Sequence, residues 1–431
     1  MNKTIIIIIF LGLMVSCTSK QESKTNNKYE SFAQVFQEID NILDRDNGKF
    51  WNSSLKGPIL LVDPESREIV SNQNSKSGEF QKSNGVYIDT LPQEINIANT
   101  ALDWDEKRWT MVMLPLPKEK KSRNNLVIHE LFHRIQPQIG FGNLSEQSNG
   151  HLDTYHGRLL LKLELEALLQ AIHTTEENKD THIGNALRFR KERYTSNEIK
   201  HAENTLELNE GLAEYTGVML SGRSSEEMKA HFRNSVDNFY DNKTFVRSFA
   251  YQTIPMYGYL LSKSKVNWHK EISNQTNLTD HFENAFSFNL DSTIQFETIA
   301  KENNYHFKKI QREERLREEE RLKVIAKYKE LFLQRPTLKL VFENMRISFD
   351  PRNIVPIEDI GTVYPTLRLT DNWGILTVEN GALLSADWQN VIVTEPKEIG
   401  DSIITGEGWK LELNENWSVE KTNTVYELKK E

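Results

Sequence analysis

The alternation of apolar and polar positions divides the chain into stretches of different character. Residues 4–15 form a nearly unbroken apolar run behind Met1-Asn2-Lys3. At about twelve residues the run is too short to span a bilayer comfortably and has the length of a signal-peptide core. Residues 18–28 are polar and read as a solvated tether. In residues 29–45, Phe32, Val35, Phe36, Ile39 and Leu43 recur with helical spacing. Short apolar runs bounded by Gly, Pro, Asn or Asp then predict strands at Pro58–Val62, Glu68–Val70, Val86–Ile88, Ile95–Ala98 and Arg108–Leu114. Residues 29–120 thus read as a helix on a small antiparallel or mixed sheet.

Beyond Asn125 the period changes to that of helices, predicted over 124–137, 152–174, 181–193, 198–220, 226–240, 247–263 and 278–285. The run 302–334 predicts a long helix with acidic and basic residues at i, i+3 and i+4 spacing. It reads as a solvated connector. After Pro336, short β-rich runs at Leu338–Phe342, Thr362–Leu369, Gly374–Val378, Val391–Thr394, Trp409–Leu413 and Tyr426–Leu428 predict an all-β sandwich or small barrel. The expected fold class is α+β. Its parts are a signal segment (1–16), a tether (17–28), an α+β part (29–120), a helical part (121–300), a connecting helix (301–336) and a β domain (337–431).

Composition narrows the functional classes. Of 431 residues, 38% are hydrophobic and 27% charged, which supplies a core and excludes a mostly disordered chain. A single long apolar run excludes a polytopic membrane protein. Lys and Arg number 53 against 62 Asp and Glu, a net charge of -9, which argues against a nucleic-acid partner. One cysteine rules out an intrachain disulfide, all-cysteine zinc sites and iron–sulfur clusters. That cysteine, Cys17, ends the apolar run as Met14-Val15-Ser16-Cys17. The segment resembles a bacterial lipobox, with Met14 where leucine is usual. The resemblance implies cleavage before Cys17, lipidation of its thiol and a membrane-anchored protein of the cell envelope facing periplasm or exterior. Loss of residues 1–16 removes Lys3 and takes the net charge from -9 to -10.

The segment His129-Glu130-Leu131-Phe132-His133 carries candidate metal chemistry. On a helix, His129 and His133 are four apart and share a face, so both imidazoles can bind one zinc ion. Glu130 is offset towards a zinc-bound water and can take its proton. Gln136 and Ile139 stand where a metzincin would have its glycine and third histidine. A third ligand is better sought in Leu208-Asn209-Glu210-Gly211-Leu212-Ala213-Glu214-Tyr215, on a later predicted helix. His151, Asp153, Glu164 and Glu166 are its rivals. HELFH together with LNEGLAEY resembles the gluzincins, the thermolysin-like and neutral-aminopeptidase-like zinc peptidases. The resemblance covers roughly residues 109–260. The chain also resembles bacterial secreted proteins with HELFHRIQ, HLDT and NEGLAEYTG in this order.

The resemblance implies Glu210 as third ligand and Glu214 as the acid that accepts a hydrogen bond from the first zinc histidine, an arrangement usual for zinc-bound imidazoles. Here 76 residues separate His133 from Glu210, against roughly twenty in thermolysin-like enzymes, so a helical insertion is expected. The acid at 214 is Glu rather than Asp, and the aminopeptidase G-x-M-E-N motif is absent. Gluzincins stabilise the oxyanion with a Tyr or His from a later helix. Tyr251 is the favoured residue, with Tyr257, Tyr259 and His231 as alternatives. By the same resemblance, Trp109–Leu114 would be the edge strand onto which an extended peptide adds. The chain is therefore expected to be a membrane-anchored zinc metallopeptidase holding one Zn²⁺ and acting on a peptide or protein. The competing expectation is a non-catalytic, lipid-anchored binding protein on a degenerate peptidase fold. Trp373, Trp388, Trp409 and Trp417 admit a sugar-binding platform, with core packing the plainer reading.

Overall fold

The computed structural model describes residues 18–288, 295–350, 353–357, 359–422 and 425–430. The expected signal segment 1–16, with its apolar run, and Cys17 lie outside the described residues. Among the described residues, no helix is long and apolar enough to cross a membrane. The architecture is mixed α+β: a small N-terminal sheet, a mainly helical middle and a C-terminal β sandwich.

The N-terminal part holds α1 (Thr18–Asp46), β1 (Ile59–Val62), β2 (Glu68–Ser71), β3 (Gln81–Ser83), β4 (Val86–Thr90), β5 (Thr100–Trp104) and β6 (Lys107–Met113). Helix α1 takes in the polar residues 18–28. The strands form one sheet in the order β3-β4-β2-β1-β6-β5, with β1 and β6 parallel and every other pair antiparallel. Both faces are covered, which is why β1 reads as an unbroken Ile-Leu-Leu-Val. Ile59, Leu61, Val70 and Val112 join the main core with α1, while Leu60, Val62, Ile69 and Met111 pack under Phe80, Leu91 and Trp109. Two expectations are corrected here. Ile95–Ala98 is not a strand. The Arg67 guanidinium binds the carbonyls of Leu91, Pro92 and Ile95, so this backbone turns around a side chain instead of joining a ladder. Trp109–Leu114 is not an edge, because β6 lies between β1 and β5; the terminal strands of the sheet are β5 and β3.

The middle comprises α2 (Lys120–Ile135), α3 (Tyr155–His173), α4 (Glu176–Arg193), α5 (Asn197–Leu206), α6 (Leu212–Leu220), α7 (Ser225–Tyr240), α8 (Ala250–Ser262), α9 (Leu278–Ala285), α10 (Phe296–Glu302) and α11 (Phe307–Lys329). The helix expected over 198–220 is interrupted by a wider π turn at Glu207–Gly211, the segment that carries Glu210. Such turns recur at functional sites. The long charged helix is less solvated than its sequence suggests. On α11, Glu314 is buried between Arg158 Nε at 2.9 Å and Lys162 Nζ at 2.5 Å, both from α3.

The C-terminal strands are β7 (Thr337–Val341), β8 (Arg346–Phe349), β9 (Val355–Ile357), β10 (Gly361–Tyr364), β11 (Leu367–Asp371), β12 (Gly374–Val378), β13 (Ala382–Ser385), β14 (Asn390–Thr394), β15 (Pro396–Ile399), β16 (Ile403–Gly406), β17 (Trp409–Leu413), β18 (Trp417–Thr422) and β19 (Val425–Lys430). They form two sheets, β18-β19-β7-β14-β13-β10-β9 and β15-β16-β17-β12-β11-β8. The single run expected at Thr362–Leu369 is two strands, one in each sheet, separated at Pro365-Thr366. Trp373 and Trp409 are core residues whose indole N–H groups donate to Val341 O and Thr394 Oγ1, both at 3.0 Å. Trp388 is exposed by itself, so the four tryptophans do not build a platform.

Candidate metal centre

Helix α2 brings the first three site residues. Glu119 caps it, accepting from the backbone N–H groups of Lys121 and Ser122, and these bonds hold its carboxyl down to about 2. Val127, Ile128, Leu131 and Phe132 are fully buried, which fixes the helix rotation and turns His129, Glu130 and His133 towards α6 and the π turn. Helix α6 can approach closely because Gly217 faces α2. A Cβ there would lie 2.6 Å from Asn125 O.

Three side chains converge. His129 Nε2 is 3.1 Å from His133 Nε2, and Glu210 Oε2 is 3.5 Å from the first and 3.3 Å from the second. Zinc–ligand bonds of 2.0–2.1 Å in a tetrahedron set neighbouring donor atoms about 3.3 Å apart. The observed separations bracket that value, so the three atoms fit one metal ion. The imidazoles have the matching tautomers. His129 Nδ1 is 2.9 Å from Glu214 Oε2, and His133 Nδ1 is 2.9 Å from Gln136 Oε1. With both Nδ1–H groups donated to acceptors, both Nε2 lone pairs are left for a metal. Gln136 is fixed in turn, since its Nε2 donates to the carbonyls of Leu208 and Asn209, each at 3.3 Å.

Charge points the same way. Burial opposes protonation of His129 and His133, yet Glu210 and the neighbouring carboxylates raise both pKa values, His129's well above the ordinary range. Burial would raise Glu210, but the two imidazoles hold it well below the usual carboxylate range. Burial is the largest effect on Glu130 and raises it, with His129 and His133 pulling against it. Three carboxylates, Glu130, Glu210 and Glu214, thus face two imidazoles in a place that asks for positive charge. Glu130 Oε1 is 4.0 Å from His129 Nε2, and its buried Oε2 has no hydrogen-bond partner, as a base awaiting a water would. Tyr251 stacks on the His129 ring, with centroids 5.3 Å apart and planes 9° apart, and donates to Glu210 Oε2 at 2.6 Å. All of these residues border one cavity of about 960 Å³.

No family model, curated protein or solved structure matches this chain.

The rival ligands lie elsewhere in ion pairs and hydrogen bonds. His151 bonds Glu203 at 2.7 Å, Asp153 accepts from Arg158 Nη1 at 2.9 Å, Glu164 accepts from Arg190 Nε at 2.6 Å, and Glu166 accepts from Tyr240 at 3.1 Å. Among the alternative oxyanion donors, Tyr257 is fully buried and donates to Glu164 at 3.0 Å. Tyr259 packs on Phe232, and neither it nor His231 borders the cavity. Sequence reasoning missed several supporting residues. Gln136 follows His133 by three, a helical spacing that could have disclosed it. Asn125 Nδ2 donates to Glu214 Oε1 at 2.9 Å. Arg247 pairs with Glu146 and reaches within 3.6 Å of Glu210 Oε1. The helices between His133 and Glu210 also serve the site. Arg190 of α4 grips Glu207 with two bonds of 2.8 and 2.6 Å, three residues before Glu210, and Thr253 of α8 donates to the same carboxylate at 2.6 Å.

Proposed function

We propose that the chain is a zinc-dependent peptidase held at a membrane by a lipid on Cys17. The reading rests above all on one observation: His129 Nε2, His133 Nε2 and Glu210 Oε2 meet at tetrahedral spacing beside Glu130, whose buried Oε2 has no hydrogen-bond partner. Zinc, when bound by these three residues, lowers the pKa of water and polarises a carbonyl.

The chain's own residues supply the rest. Glu130 accepts a proton from the water whose oxygen attacks the scissile carbonyl carbon. It returns that proton to the leaving nitrogen as the C–N bond breaks. Burial and Glu210 keep the Tyr251 phenol well above its ordinary pKa, so it remains a donor for the oxyanion. Glu214 and Gln136 hold the imidazoles in register. The edge strand β5 begins beside the site, and Ala98, Asn99, Thr100 and Ala101 border the cavity. Among the described residues β6 is the only strand paired with β5, and such an edge suits an extended peptide, which recruits its affinity through main-chain hydrogen bonds. The lipid anchor is supported by the apolar run that ends in the sole cysteine.

The test is metal analysis of the purified protein together with digestion of a mixed peptide pool. Stoichiometric zinc and peptide cleavage support the reading. Zinc-loaded protein that cleaves nothing favours a lipid-anchored binding protein.

A further inference from the structure

Arg247 puts a fixed positive charge beside a metal-site carboxylate. It borders the cavity, and its Nη2 lies 3.6 Å from Glu210 Oε1. A cation there works against a metal centre in two ways. It repels a divalent ion held at Glu210, and it can claim the carboxylate that the ion needs. The two oxygens of Glu210 are used unequally. Oε2 approaches both imidazoles and accepts from Tyr251 at 2.6 Å, while Oε1 faces Arg247. A charge-assisted bond from a guanidinium to a carboxylate runs to about 2.7–2.9 Å. At 3.6 Å, Arg247 stops short of one.

Glu146, in the irregular segment 142–149, holds it back. Glu146 Oε2 accepts a short bond from Arg247 Nη1, and Glu146 Oε1 accepts from Arg247 Nη2 at 3.2 Å. Two parallel bonds of this kind fix the plane of a guanidinium as well as its position. Glu146 Oε1 also accepts from Asn209 Nδ2 at 2.7 Å, so the carboxylate is itself tied to the residue before Glu210. The guanidinium carbon lies 5.9 Å from the centroid of the Phe349 ring. Arg247 Nη2 is thus hydrogen-bonded to one carboxylate and merely near the other. The side chains of Arg247 and Glu146 are each only 26% exposed, so solvent screens the pair less than it would at the surface.

We infer that Glu146 is a positioning residue for the metal centre: its carboxylate offsets the charge of Arg247 and keeps the guanidinium off Glu210. This rests on the zinc reading of the site and deepens it. Glu146 does not border the cavity, so it acts on the ligand through Arg247 and not on a substrate. Without it, Arg247 is free to close on Glu210 Oε1, and its charge stands uncompensated beside the ion. Both effects lower metal affinity. The two positions should therefore be antagonists. Removing the charge of Glu146 harms the centre, and removing Arg247 as well repairs it. A residue that served only to tie down its own segment would show no such repair.

The experiment measures zinc affinity of the full chain by competition with a chromophoric chelator, with urea denaturation of the metal-free proteins to confirm that each is folded. Glu146→Gln keeps an oxygen that can accept from Asn209, so the charge is lost while that tie survives. It should bind zinc about 10–100-fold more weakly than the parent, the usual size when a partner that orients a ligand is lost. Glu146→Gln combined with Arg247→Gln should return to within about threefold of the parent, a coupling that independent sites do not show. Glu146→Asp keeps the charge on a shorter side chain and should lose less than Glu146→Gln. Unchanged affinity in Glu146→Gln, a double variant no tighter than the single one, or equal losses in the Asp and Gln variants would each overturn the inference. A parent chain that binds no zinc would sink the zinc reading and the inference with it. A parent that binds zinc, with no antagonism between the two positions, would sink the inference alone.

Discussion

Glu214 accepts a hydrogen bond from His129 across 2.9 Å, and its other oxygen accepts one from Asn125 at the same distance. The carboxylate thus fixes both the tautomer and the orientation of an imidazole it does not share a helix with. Glu214→Ala should weaken zinc binding by about 10–100-fold, measured by competition with a chelator, because the ligands survive and only their orientation is lost. His129→Ala, His133→Ala and Glu210→Ala should each abolish stoichiometric binding. Three protein ligands leave no redundancy, and Asp153 and Glu164 are already engaged with arginines. Full zinc occupancy in Glu210→Ala would remove that residue from the ligand set.

The approach of α6 to α2 is as exacting as the ligands. A Cβ at Gly217 would sit 2.6 Å from Asn125 O and 3.3 Å from the Asn125 side chain. Gly217→Ala should therefore force the helices apart and cost about 1–3 kcal/mol by overpacking. Asn125 also positions Glu214, so zinc affinity should fall in the same variant. Urea denaturation of the metal-free protein and chelator competition measure the two effects. Unchanged values in both would mean that the helices can separate without loss.

The ion pairs behind the π turn predict a pH dependence remote from the metal. Glu203 is fully buried, with Arg193 Nε at 2.7 Å, Arg193 Nη2 at 2.8 Å and His151 Nε2 at 2.7 Å. Burial alone would raise its pKa, but Arg193 and His151 outweigh it and bring the carboxyl from 4.5 down to about 2. A depressed folded pKa contributes stability that is present above the unfolded value and lost as pH falls through the folded one. Glu203→Gln should cost about 3–5 kcal/mol at neutral pH, since it leaves a buried arginine short of its partner. The gap to the parent protein should narrow between pH 4.5 and 2. Denaturation at three pH values reads this directly, and a gap that stays constant into that window would place the stabilising charge elsewhere.

These examples show which parts were legible in sequence. His129 and His133 are read from helical spacing, whereas Glu210 and Glu214 come from the resemblance of LNEGLAEY to the gluzincins, with which their one-turn spacing agrees. Local periodicity likewise located most helices but only seven of the thirteen described sandwich strands, missing β8, β9, β13, β15, β16 and β18. Long-range relationships were not legible. The partner of Gln136 is a pair of carbonyls 72 and 73 residues away. Strand order is a further case. Trp109–Leu114 has the apolar run of a strand, but only the pairing with β5 makes it internal. The Ile95 region carries apolar residues whose backbone is claimed by Arg67, an interaction that no period records. Ser348 and Phe349 lie about 220 residues after His129 and nevertheless border the same cavity.

The anchor is tested on the sole cysteine. Cys17→Ala should abolish incorporation of labelled palmitate and move the protein to the soluble fraction, since one residue would carry every acyl chain. Wild-type protein that takes up no label, together with unchanged fractionation of the variant, would leave the apolar run as an ordinary secretion signal.

The chemistry turns on Glu130. Glu130→Gln keeps the size and helix propensity of the side chain, and it keeps the buried contacts of Leu131 and Phe132 that fix α2. The amide cannot take a proton from the attacking water or return one to the leaving nitrogen. General acid–base assistance is worth about 10²–10⁴-fold, and this residue would serve both halves of the reaction. The variant should fold, retain zinc and lose peptide hydrolysis by at least that factor. Tyr251→Phe removes the hydroxyl that donates to Glu210 at 2.6 Å while leaving the ring that stacks on His129. It should lower kcat by about 10²–10³-fold with a smaller change in KM, as expected for a donor used mainly in the transition state. Long-incubation digests of a mixed peptide pool, with zinc measured on the same samples, separate these outcomes. Hydrolysis by Glu130→Gln at the parent rate would rule out Glu130 as the base. A Tyr251→Phe variant that lost zinc instead of kcat would make the phenol a support for Glu210, not a donor to the oxyanion.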